Sequence, residues 1–454
     1  MVASPYAVYP FLNYTTHSNM EMAQKTPMLS GWGRLRHHGK EVFSEDLRAL
    51  SRDAVLSRGL GRSYGDSALP PPSHLEVATT TLADRILAFD ESTGVLRAEA
   101  GLSLRELNRL LLPRGWFAPV TPGTQFVTLG GMVAADVHGK NHHVEGTFGA
   151  HVKSLLLRVA DRRLMPCSPS DEPDLFWATV GGMGLTGHIL EVEFGMRAIP
   201  SPWIYEERVR LGDVNALVTA LKESAADWPF TVGWLDCLGR GRAILNRGRW
   251  ATRDEAPDNT PKPLRQISVP FELPNWVLNR WSMGAFNALT YLTRGSGKGI
   301  INPEAFFYPL DKVLHWNRIY GRRGFIQYQC VLPRADRTGA FLDLLSEHRA
   351  AAFLCVIKDC ADQGRGMLSF PLPGISIAID LAVDENTQRL VDRLNEAVIA
   401  DGGRIYLAKD AFTRAEHFRV MEPRLDAWMA VRHRWDPELR IRSAQSVRVF
   451  GDPS

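Results

Sequence analysis

Cysteine is scarce in this chain and follows no disulfide or metal-binding pattern. The 454 residues include five cysteines, an odd number, and no two of them form a CxxC pair. A disulfide-stabilised secreted domain needs an even set of cysteines, and a cysteine zinc site needs paired ligands. The spacing argues against both, and a reducing compartment is the simpler interpretation.

Long apolar runs are also missing. No stretch of about 18 uninterrupted apolar residues occurs, so no transmembrane helix is expected. Residues 1–29 lack a basic start, and Pro5, Pro10 and Asn13 interrupt their apolar stretches, which makes them a poor signal peptide. We expect a loose N-terminal extension over 1–29 and a protein that is cytoplasmic or peripheral at the inner membrane.

A strong excess of one charge is absent. Lys and Arg number 53 against 50 Asp and Glu, which leaves a net charge of +3. A general nucleic-acid-binding protein usually carries a pronounced basic surface, so no nucleic-acid partner is expected. Any affinity for an anion must come from a local arrangement of groups.

The chain does have the composition of an ordinary globular protein, with 45% hydrophobic and 23% charged residues. Its length suggests two or three domains, and two is the working number. Glycine-punctuated sequence over 30–200 predicts mixed strand and helix. Past Pro200 the segments become longer and richer in aromatic and β-branched residues, which indicates a domain boundary near residue 200.

Individual elements can be predicted in both parts. Ser103 and Glu106 form a capping box that predicts a helix ahead of an apolar face. Period-two alternation predicts strands over 188–196, 325–333 and 374–383, the last two in one antiparallel sheet. Helical spacing in "AFLDLLSEHRA" and "NTQRLVDRLNEAVIA" predicts helices that cover this sheet.

Two later segments are less regular. Residues of about 240–300 are rich in charge, proline and then aromatics without a sustained period, which predicts a long excursion or lid. Thr413 and Glu416 predict a second capping box, ahead of a C-terminal helix in which Pro423 marks a kink or a break.

The stretch "RGLGRSYGD", residues 58–66, has some of the glycines of a dinucleotide fingerprint. Such a fingerprint needs a strand, G-x-G-x-x-G and then a helix, but Tyr64 replaces the third glycine and "DSALPPPSH" cannot form a helix. Glycine and small residues after a strand can instead turn their backbone N–H groups inward as an anion-binding nest. Taken alone, the loop is better explained as a plain turn with Arg62 in solvent.

A second glycine-rich stretch, "TPGTQFVTLGGMVAADVHGKNHH" over 121–143, favours ligand binding over a plain turn. Its glycines let the backbone approach a large flat ligand closely, and two such stretches in one half of the chain favour a nucleotide cofactor. His138 and His142 have i, i+4 spacing, but Gly139 weakens a helix and no HExxH motif is present, so no metal site is expected. We expect His138 to hydrogen-bond to the cofactor and His142 and His143 to lie at the surface.

These motifs together resemble one family. "GLGRSYGD", "PGT...VTLGG", "ADVHGKNHH", "DLFWATVGGMGLTG", "FIQYQ", "LSFPLPG" and "YLAKD" occur in the order found in the decaprenylphosphoryl-β-D-ribose 2′-oxidase family. Its members are the flavin subunits of the epimerase that makes lipid-linked arabinose. The likeness runs from about residue 31 to about residue 449, and "HGKNHH" and "RSYGD" are more specific than generic flavin-oxidase patterns.

The resemblance implies an α+β fold of the vanillyl-alcohol-oxidase type, also called PCMH type, with two domains. The FAD-binding domain would consist of residues 30–200 and 404–454. A substrate domain over 201–403, with a central antiparallel sheet and the lid of about 240–300, would cover the flavin. The first loop has no histidine for covalent attachment, so non-covalent FAD is implied.

Motif matching also implies the site residues. The FAD contacts would be Ser57, Arg58, Gly59, Leu60, Gly61, Arg62, Ser63, Tyr64, Gly65, Asp66, Ser67, Gly123, Thr128, Leu129, Gly130, Gly131, Ala135, Asp136, Val137, His138, Ile189 and Tyr406. The catalytic set would be Lys409, Gln327, Gln329, Lys358, His138 and Tyr64.

The implied roles follow from the chemistry of these side chains. Lys409 would act as base or orienter, although without the resemblance the residues are better explained by an exposed lysine paired with Asp410. Gln327 and Gln329 alternate on one strand face and would bind sugar hydroxyls, and Lys358 would neutralise a phosphate. Ala378 and Phe307 replace a cysteine and an aromatic hydroxyl of some family members, which affects the expected pocket shape.

The implied reaction is oxidation of the 2′-hydroxyl of a polyprenyl-phosphoryl-β-D-ribose to a 2-keto sugar, completed by a separate NAD(P)H-dependent reductase. Peripheral membrane contact would involve the aromatic stretch 275–292, for which core packing is the alternative. An alditol or aldonolactone oxidase of the same fold, and a flavin- or phosphate-binding protein without catalysis, are the competing hypotheses.

Overall fold

The computed structural model describes residues 27–238, 242–274, 276–348 and 352–454. The extension expected over 1–29 therefore lies almost wholly outside the described residues. Its last residues are not loose, because Met28–Ser30 pairs as a short antiparallel ladder with Arg36–His38. None of the helices in the described ranges is long and apolar enough to cross a bilayer.

An eight-stranded antiparallel sheet, here called the large sheet, dominates the second half of the chain. From one edge to the other its strands are Gly297–Ile301, Ile204–Leu211, Ala243–Trp250, Phe230–Leu235, Ala352–Cys360, Gly374–Ala382, Phe325–Leu332 and Arg404–Ile405. The predicted strands over 325–333 and 374–383 are confirmed as Phe325–Leu332 and Gly374–Ala382, which are direct neighbours.

Smaller sheets organise the first part of the chain. A five-stranded antiparallel sheet has the order Leu164–Cys167, Val152–Arg158, His188–Gly195, Val95–Glu99 and Ile86–Asp90, and a three-stranded parallel sheet has the order Lys40–Phe43, Glu76–Thr79 and Ser57–Arg58. The strand predicted over 188–196 is confirmed as His188–Gly195. Two-residue ladders pair Trp116–Phe117 with Arg197–Ala198 and Ile267–Ser268 with Val313–Leu314.

Helices of different lengths connect and cover these sheets. The α-helices are Leu47–Leu50, Leu104–Leu111, Leu129–Ala134, His142–Glu145, Pro173–Thr179, Val214–Ser224, Arg280–Thr293, Pro303–Phe307, Thr338–Glu347, Thr387–Ala400, Ala415–Met421, Leu425–Trp435 and Ala444–Phe450. Short 3-10 turns lie at Thr80–Leu82, Leu112–Arg114, Phe148–His151, Trp316–Tyr320 and Ala335–Arg337.

One face of the large sheet is apolar and buried. On the strand Gly374–Ala382, Ile375, Ile377 and Ile379 point to this face, where they join a core that includes residues of Val214–Ser224, Thr338–Glu347 and Thr387–Ala400. The covering helices predicted for this sheet are therefore confirmed. Because side chains alternate along a strand, the intervening residues point to the opposite face, and this second face is the one that bears the candidate site.

Three local predictions can be compared directly with the structure. The helix predicted after Ser103 is confirmed as Leu104–Leu111, and the Ser103 side chain accepts from the backbone N–H of Glu106. The reciprocal half of the capping box is not formed among the described residues, because the Glu106 carboxylate accepts from Arg109 instead. The break at Pro423 is confirmed, because it separates Ala415–Met421 from Leu425–Trp435.

The capping box expected at Thr413 is wrong. Arg414 is the N-cap residue of Ala415–Met421 and makes no side-chain cap, and the Thr413 hydroxyl instead accepts a hydrogen bond from Asn395.

The lid expected over about 240–300 is more regular than predicted. Ala243–Trp250 is a strand in the interior of the large sheet, and Arg280–Thr293 is a helix whose N-cap, Asn279, makes a reciprocal capping box with Ser282. The Ala243–Trp250 strand carries three arginine or asparagine side chains among its apolar residues, which hid its alternation. The irregular part is confined to the segment between these two elements.

Candidate active site

A cavity of about 440 Å³ lies between the first loop, the segment around 121–140 and the polar face of the large sheet. Two kinds of wall enclose it. Loops from the first part of the chain form one wall, which we call the loop wall. Side chains of the large sheet, together with Lys409 from the turn that follows its strand Arg404–Ile405, form the other, which we call the sheet floor.

The first loop leaves the short strand Ser57–Arg58 with its backbone exposed to the cavity. In the part of the chain that the structure describes, no protein acceptor binds the backbone N–H groups of Gly59, Leu60, Gly61, Arg62 or Ser63. Gly61 has a φ of +61°, a left-handed conformation that glycine adopts without strain. The loop is thus a row of free donors without a following helix, which is the geometry of an anion-binding nest.

Two glycines keep the loop wall thin. A Cβ on Gly59 would overlap the Thr128 hydroxyl, whereas the Cβ position of Gly123 faces open space at the cavity. Thr128 also caps the helix Leu129–Ala134, because its side chain accepts from the Gly131 N–H. Glycine at position 59 therefore lets the two loops pack against each other while both face the ligand space.

Arg62 is fixed in the cavity wall and is not in solvent as the plain-turn interpretation required. Its guanidinium lies 3.9 Å from the ring centre of Trp32 and 4.8 Å from that of Phe126. Burial lowers the pKa of Arg62 to about 10, against the attraction of Asp311, which opposes the shift. The side chain remains a cation at neutral pH, held between two aromatic rings.

The sheet floor is made of alternating residues from neighbouring strands. Gln327 and Gln329 line the cavity from the strand Phe325–Leu332. Ala378 lies opposite Gln329 in the sheet register and Lys358 lies opposite Ser376. The predicted projection of both glutamines to one face is confirmed, and the sheet register places further polar positions beside them.

His138 is held by Gln329 and leaves one ring nitrogen free. Its Nε2 lies 2.9 Å from Gln329 Nε2, and since the amide nitrogen can only donate, His138 Nε2 accepts and Nδ1 carries the proton. Nδ1 is buried and has no hydrogen-bond partner among the described residues. Burial, with help from Lys358, lowers the pKa of His138 far below its usual value, so the ring is neutral.

Lys409 lies over the first loop. Its Nζ is 3.9 Å from the centre of the Tyr64 ring, and the Tyr64 backbone N–H donates to the Ala408 carbonyl at 3.0 Å. Asp410 does not pair with Lys409: its carboxylate accepts from Arg448 at 2.8 Å. Burial and the nearby Lys358 lower the pKa of Lys409 while Asp380 acts in the opposite direction, so a reactive amine is available at the cavity.

Lys358 and Lys140 add two more amines to the same space. Lys140 Nζ donates to the Phe307 carbonyl at 3.0 Å, and burial, followed by repulsion from Lys358, lowers the pKa of Lys140 to about 7. Lys358 makes no ion pair among the described residues, and burial lowers its pKa as well. In their protonated forms, amines that line one cavity attract an anionic ligand.

The structure brings most of the predicted site residues to this cavity. They are Ser57, Gly59, Leu60, Gly61, Arg62, Ser63, Tyr64, Ser67, Gly123, Thr128, Gly131, Ala135, Val137, His138 and Tyr406 on the cofactor side, and Gln327, Gln329, Lys358 and Lys409 on the floor. Phe307 and Ala378 also line it. His142, expected at the surface, is 2% exposed, so that expectation is wrong.

Other predicted cofactor residues do not line the cavity: Arg58, Gly65, Asp66, Leu129, Gly130, Asp136 and Ile189. Arg58 supports the first loop from behind, where its guanidinium binds Glu41 and the carbonyls of Ser30 and Ala68. Asp66 pairs with Arg448 at 2.7 Å, and a Cβ on Gly65 would overlap the Asp410 carbonyl. These residues hold the wall in place and do not form its surface.

The remaining residues of that set lie in or beside a second hydrophobic core, which the five-stranded sheet forms with the helices Leu104–Leu111 and Leu129–Ala134. Leu129 and Ile189 belong to it, and Gly130 packs on Ala100. Asp136 is fully buried, where its carboxylate accepts from the backbone of Gly149 and from the Ser369 hydroxyl. Motif matching finds such residues because the same loop contains both ligand contacts and their supports.

Several cavity residues were not singled out from the sequence. Trp32, Lys140 and Asp311 line the cavity, and Asp380 lies against Gln327 at its floor. A signal existed for Asp380, since Ser376, Ala378 and Asp380 interrupt the isoleucines of "GISIAIDLAV" at period two. Asp311 has no comparable signal, because it lies in a turn far along the chain from its neighbour Gln125.

Residues 47–168 match the FAD binding domain family. Over 461 aligned residues, covering 95% of this chain and 99% of the relative, the sequence is 35% identical to decaprenylphosphoryl-β-D-ribose oxidase of Mycolicibacterium smegmatis. The chain belongs to the decaprenylphosphoryl-β-D-ribose oxidase family. The predicted α+β fold of the PCMH type, with its large antiparallel sheet, and the predicted cofactor, FAD, are confirmed.

More distant relatives of the family also match. An uncharacterized protein of Streptomyces coelicolor is 30% identical over 77% of this chain and 100% of its own length. The D-arabinono-1,4-lactone oxidase of Yarrowia lipolytica is 23% identical over 56% of this chain and 48% of its own length.

The cavity suits FAD on the evidence of its own atoms. The free N–H groups of the first loop match the needs of a pyrophosphate. Gly123 leaves room where a side chain would intrude, and the unpartnered Nδ1 of His138 offers a buried donor.

Proposed function

We propose that this protein catalyses FAD-dependent oxidation of the 2′-hydroxyl of a polyprenyl-phosphoryl-β-D-ribose to the 2-keto sugar. The observation that carries the proposal is the position of Lys409, a buried amine between the nest of the first loop and the glutamines of the sheet floor. A separate NAD(P)H-dependent reductase would complete the epimerisation to the arabinose form.

Each group has a role that follows from its chemistry. FAD held by the nest of the first loop would supply a two-electron acceptor for the hydride of the carbinol C–H bond. The neutral amine of Lys409 takes the proton of the hydroxyl group, and Tyr64 beneath it fixes the amine. Gln327 and Gln329 orient the sugar through hydrogen bonds, and His138, held by Gln329, offers its Nδ1–H to the cofactor or the sugar.

The phosphate of the substrate would lie near Lys358 and Lys140. Both amines are half-buried residues that line the cavity, and neither has an ion-pair partner in the described ranges. A phosphodiester brings the negative charge that such a pair requires. This arrangement favours a phosphorylated substrate over a free sugar.

We further propose the division into an FAD-binding domain of 30–200 with 404–454 and a substrate domain of 201–403. We also propose that the FAD is non-covalent, because the first loop presents Arg62, Ser63 and Tyr64 and no histidine. Acid precipitation of the pure protein should release all of the flavin into the supernatant. Flavin absorbance that stays with the pellet would contradict this.

Membrane contact is proposed for the helix Arg280–Thr293. Trp281 is 88% exposed and Leu289 and Leu292 are exposed beside it, whereas Phe286 and Thr290 line the cavity. An apolar outer face next to the cavity suits the delivery of a lipid. In vesicle sedimentation the wild-type protein should pellet with lipid, and a Trp281→Ser, Leu289→Ser variant should remain in the supernatant.

Substrate-dependent bleaching of the flavin under anaerobic conditions tests the main proposal. We expect rapid bleaching by the polyprenyl-phosphoryl ribose and little by ribose or by an aldonolactone. Equal bleaching by a free sugar would identify an alditol or aldonolactone oxidase instead. A yellow protein bleached by no sugar would identify a flavin-binding protein without catalysis.

A further inference from the structure

The site contains a buried carboxyl group that the mechanism above does not use. Asp380 lies on the strand Gly374–Ala382, directly opposite Gln327 in the sheet register, and its exposure is 0%. No ion pair within 4.0 Å involves it among the described residues. A buried carboxyl group without a direct cation is costly, so its presence needs an explanation.

The first contact of Asp380 fixes the orientation of Gln327. Gln327 Nε2 donates to Asp380 Oδ1 at 2.5 Å, and the carboxyl group also acts electrostatically on the nearby Tyr320. An amide held by its nitrogen cannot flip, which leaves the carbonyl oxygen of Gln327 as the group available to a ligand. Asp380 thereby determines whether Gln327 presents an acceptor or a donor to the sugar.

The second effect of Asp380 is on Lys409. Gln327, the direct partner of Asp380, lines the same cavity as Lys409. Burial raises the pKa of Asp380 to about 7, and its deprotonated form favours the ammonium form of Lys409, while burial and Lys358 oppose that form. An amine that takes a proton from a hydroxyl group becomes an ammonium, and a nearby carboxylate stabilises that product. Asp380 therefore acts on the proton acceptor without contacting the substrate.

We propose that Asp380 is a positioning residue of this active site: its carboxylate orients the Gln327 amide and stabilises the ammonium form of Lys409. The inference rests on the proposed function, because it assigns Asp380 a part in the same oxidation. It predicts a charge dependence that a purely structural hydrogen bond would not produce.

The other titratable groups near this pair must be considered with it. Lys358 acts electrostatically on Lys409, and Tyr320 and Tyr64 interact with Asp380. Arg62 and Asp311 act on Tyr64, and Lys409 also acts on His138. Arg62 and Lys358 are cations, so replacing Asp380 by asparagine leaves Lys409 facing positive charge. The change should therefore lower the proton affinity of Lys409.

The direct experiment measures Lys409 itself in the FAD-loaded protein without substrate. The pH dependence of amine-selective labelling at Lys409 is followed by mass spectrometry of its peptide. In Asp380→Asn the midpoint should move to lower pH by about one unit, as expected for loss of a close opposite charge. The matched control is Asp436→Asn, which removes another fully buried carboxyl group, one that binds the backbone at Arg440 and Ile441.

A second measurement addresses the orientation of Gln327. Asp380→Val removes the acceptor as well as the charge, whereas Asp380→Asn retains an acceptor. The KM for the sugar substrate should rise about tenfold in the valine variant relative to the asparagine variant, the cost of one unmade hydrogen bond. If Asp380→Asn does not fold, Asp380→Val, which also removes the charge, should move the labelling midpoint in the same direction.

The outcomes separate this inference from the proposed function. An unchanged Lys409 midpoint in folded Asp380→Asn, equal to that of Asp436→Asn, overturns the electrostatic role. Equal KM values for the valine and asparagine variants overturn the orienting role. Because the labelling needs no substrate, a shifted midpoint together with a flavin that no sugar bleaches would contradict the proposed function and leave the effect of Asp380 on Lys409 standing.

Discussion

The two walls of the cavity use different parts of the polypeptide. The loop wall presents backbone N–H groups and glycines, with Gly59, Gly61 and Gly123 where side chains would intrude. The sheet floor presents long side chains, among them Lys358, Lys409 and the two glutamines. Backbone donors recognise the shape and charge of a cofactor that many enzymes share, whereas side chains can be changed one at a time to suit a substrate.

This difference predicts different consequences of substitution. A change in the loop wall should act through the geometry of two packed loops, and it should affect cofactor retention. A change on the sheet floor should leave the fold intact and affect proton transfer or substrate affinity. The following experiments test the distinction, from the largest expected effect to the smallest.

Removal of the amine of Lys409 should have the largest effect. Lys409→Met keeps the length of the side chain but removes the proton acceptor, so substrate-driven bleaching measured per bound FAD should slow by about 100-fold or more. Stopped-flow absorbance under anaerobic conditions gives the rate. A rate within a fewfold of wild type would show that Lys409 is not the base.

A side chain at Gly59 should separate the two loops. In Gly59→Val the new atoms overlap Thr128, and overpacking of this kind costs roughly 1–3 kcal/mol. We expect FAD affinity to fall about tenfold, measured by fluorescence of released flavin during dialysis. Gly195→Ala is the control, because a Cβ there meets nothing within 4 Å; equal loss in both variants would contradict the special role of the first loop.

Replacement of Lys358 should weaken substrate binding and spare the chemistry. A charged hydrogen bond is worth about 1.5–3 kcal/mol, so KM for the phosphorylated lipid should rise about tenfold or more in Lys358→Met while kcat changes little. Lys153→Met removes an exposed lysine and should leave KM unchanged. If kcat falls and KM stays constant, Lys358 serves proton transfer and not phosphate binding.

The smallest expected effect is a pH dependence of substrate affinity. The pKa of Lys140 is lowered to about 7 by burial, so Lys140 is charged below that pH and neutral above it. Affinity for the phosphorylated substrate should therefore fall as pH rises from 6 to 8, and Lys140→Met should flatten this dependence. KM measured across this range checks both; a flat wild-type profile would contradict the assignment.

The sequence predicts the sheet floor better than the loop wall. Period-two alternation alone placed Gln327 and Gln329 on one face, because side-chain direction along a strand depends only on position. The residues of the loop wall could be predicted only from the family motifs. These motifs also contain Arg58, Asp66 and Asp136, whose side chains support the loops and do not line the cavity. No local pattern distinguishes a residue that faces a ligand from one that braces the same turn.

Some elements were missed because tertiary contacts decide them. The sequence of Ala243–Trp250 is charged and predicts an irregular segment. In the structure it is a strand between two other strands of the large sheet, and Arg247 pairs there with Glu207 of a neighbouring strand. Asp311 reaches the cavity only because the backbone N–H of Gln125 binds its carboxylate at 2.8 Å. Contacts between positions so far apart leave no trace in a single sequence.

The arginine that joins the first loop to the Lys409 turn has a consequence for biosynthesis. Arg448 binds Asp66 and Asp410 together, and the first of these pairs spans 382 positions of the chain. Contacts of such separation form late in folding because a long loop must close first. On the ribosome, the nest and the base should therefore assemble together after the helix Ala444–Phe450 has emerged, which would protect the nascent chain from loading FAD into an incomplete active site.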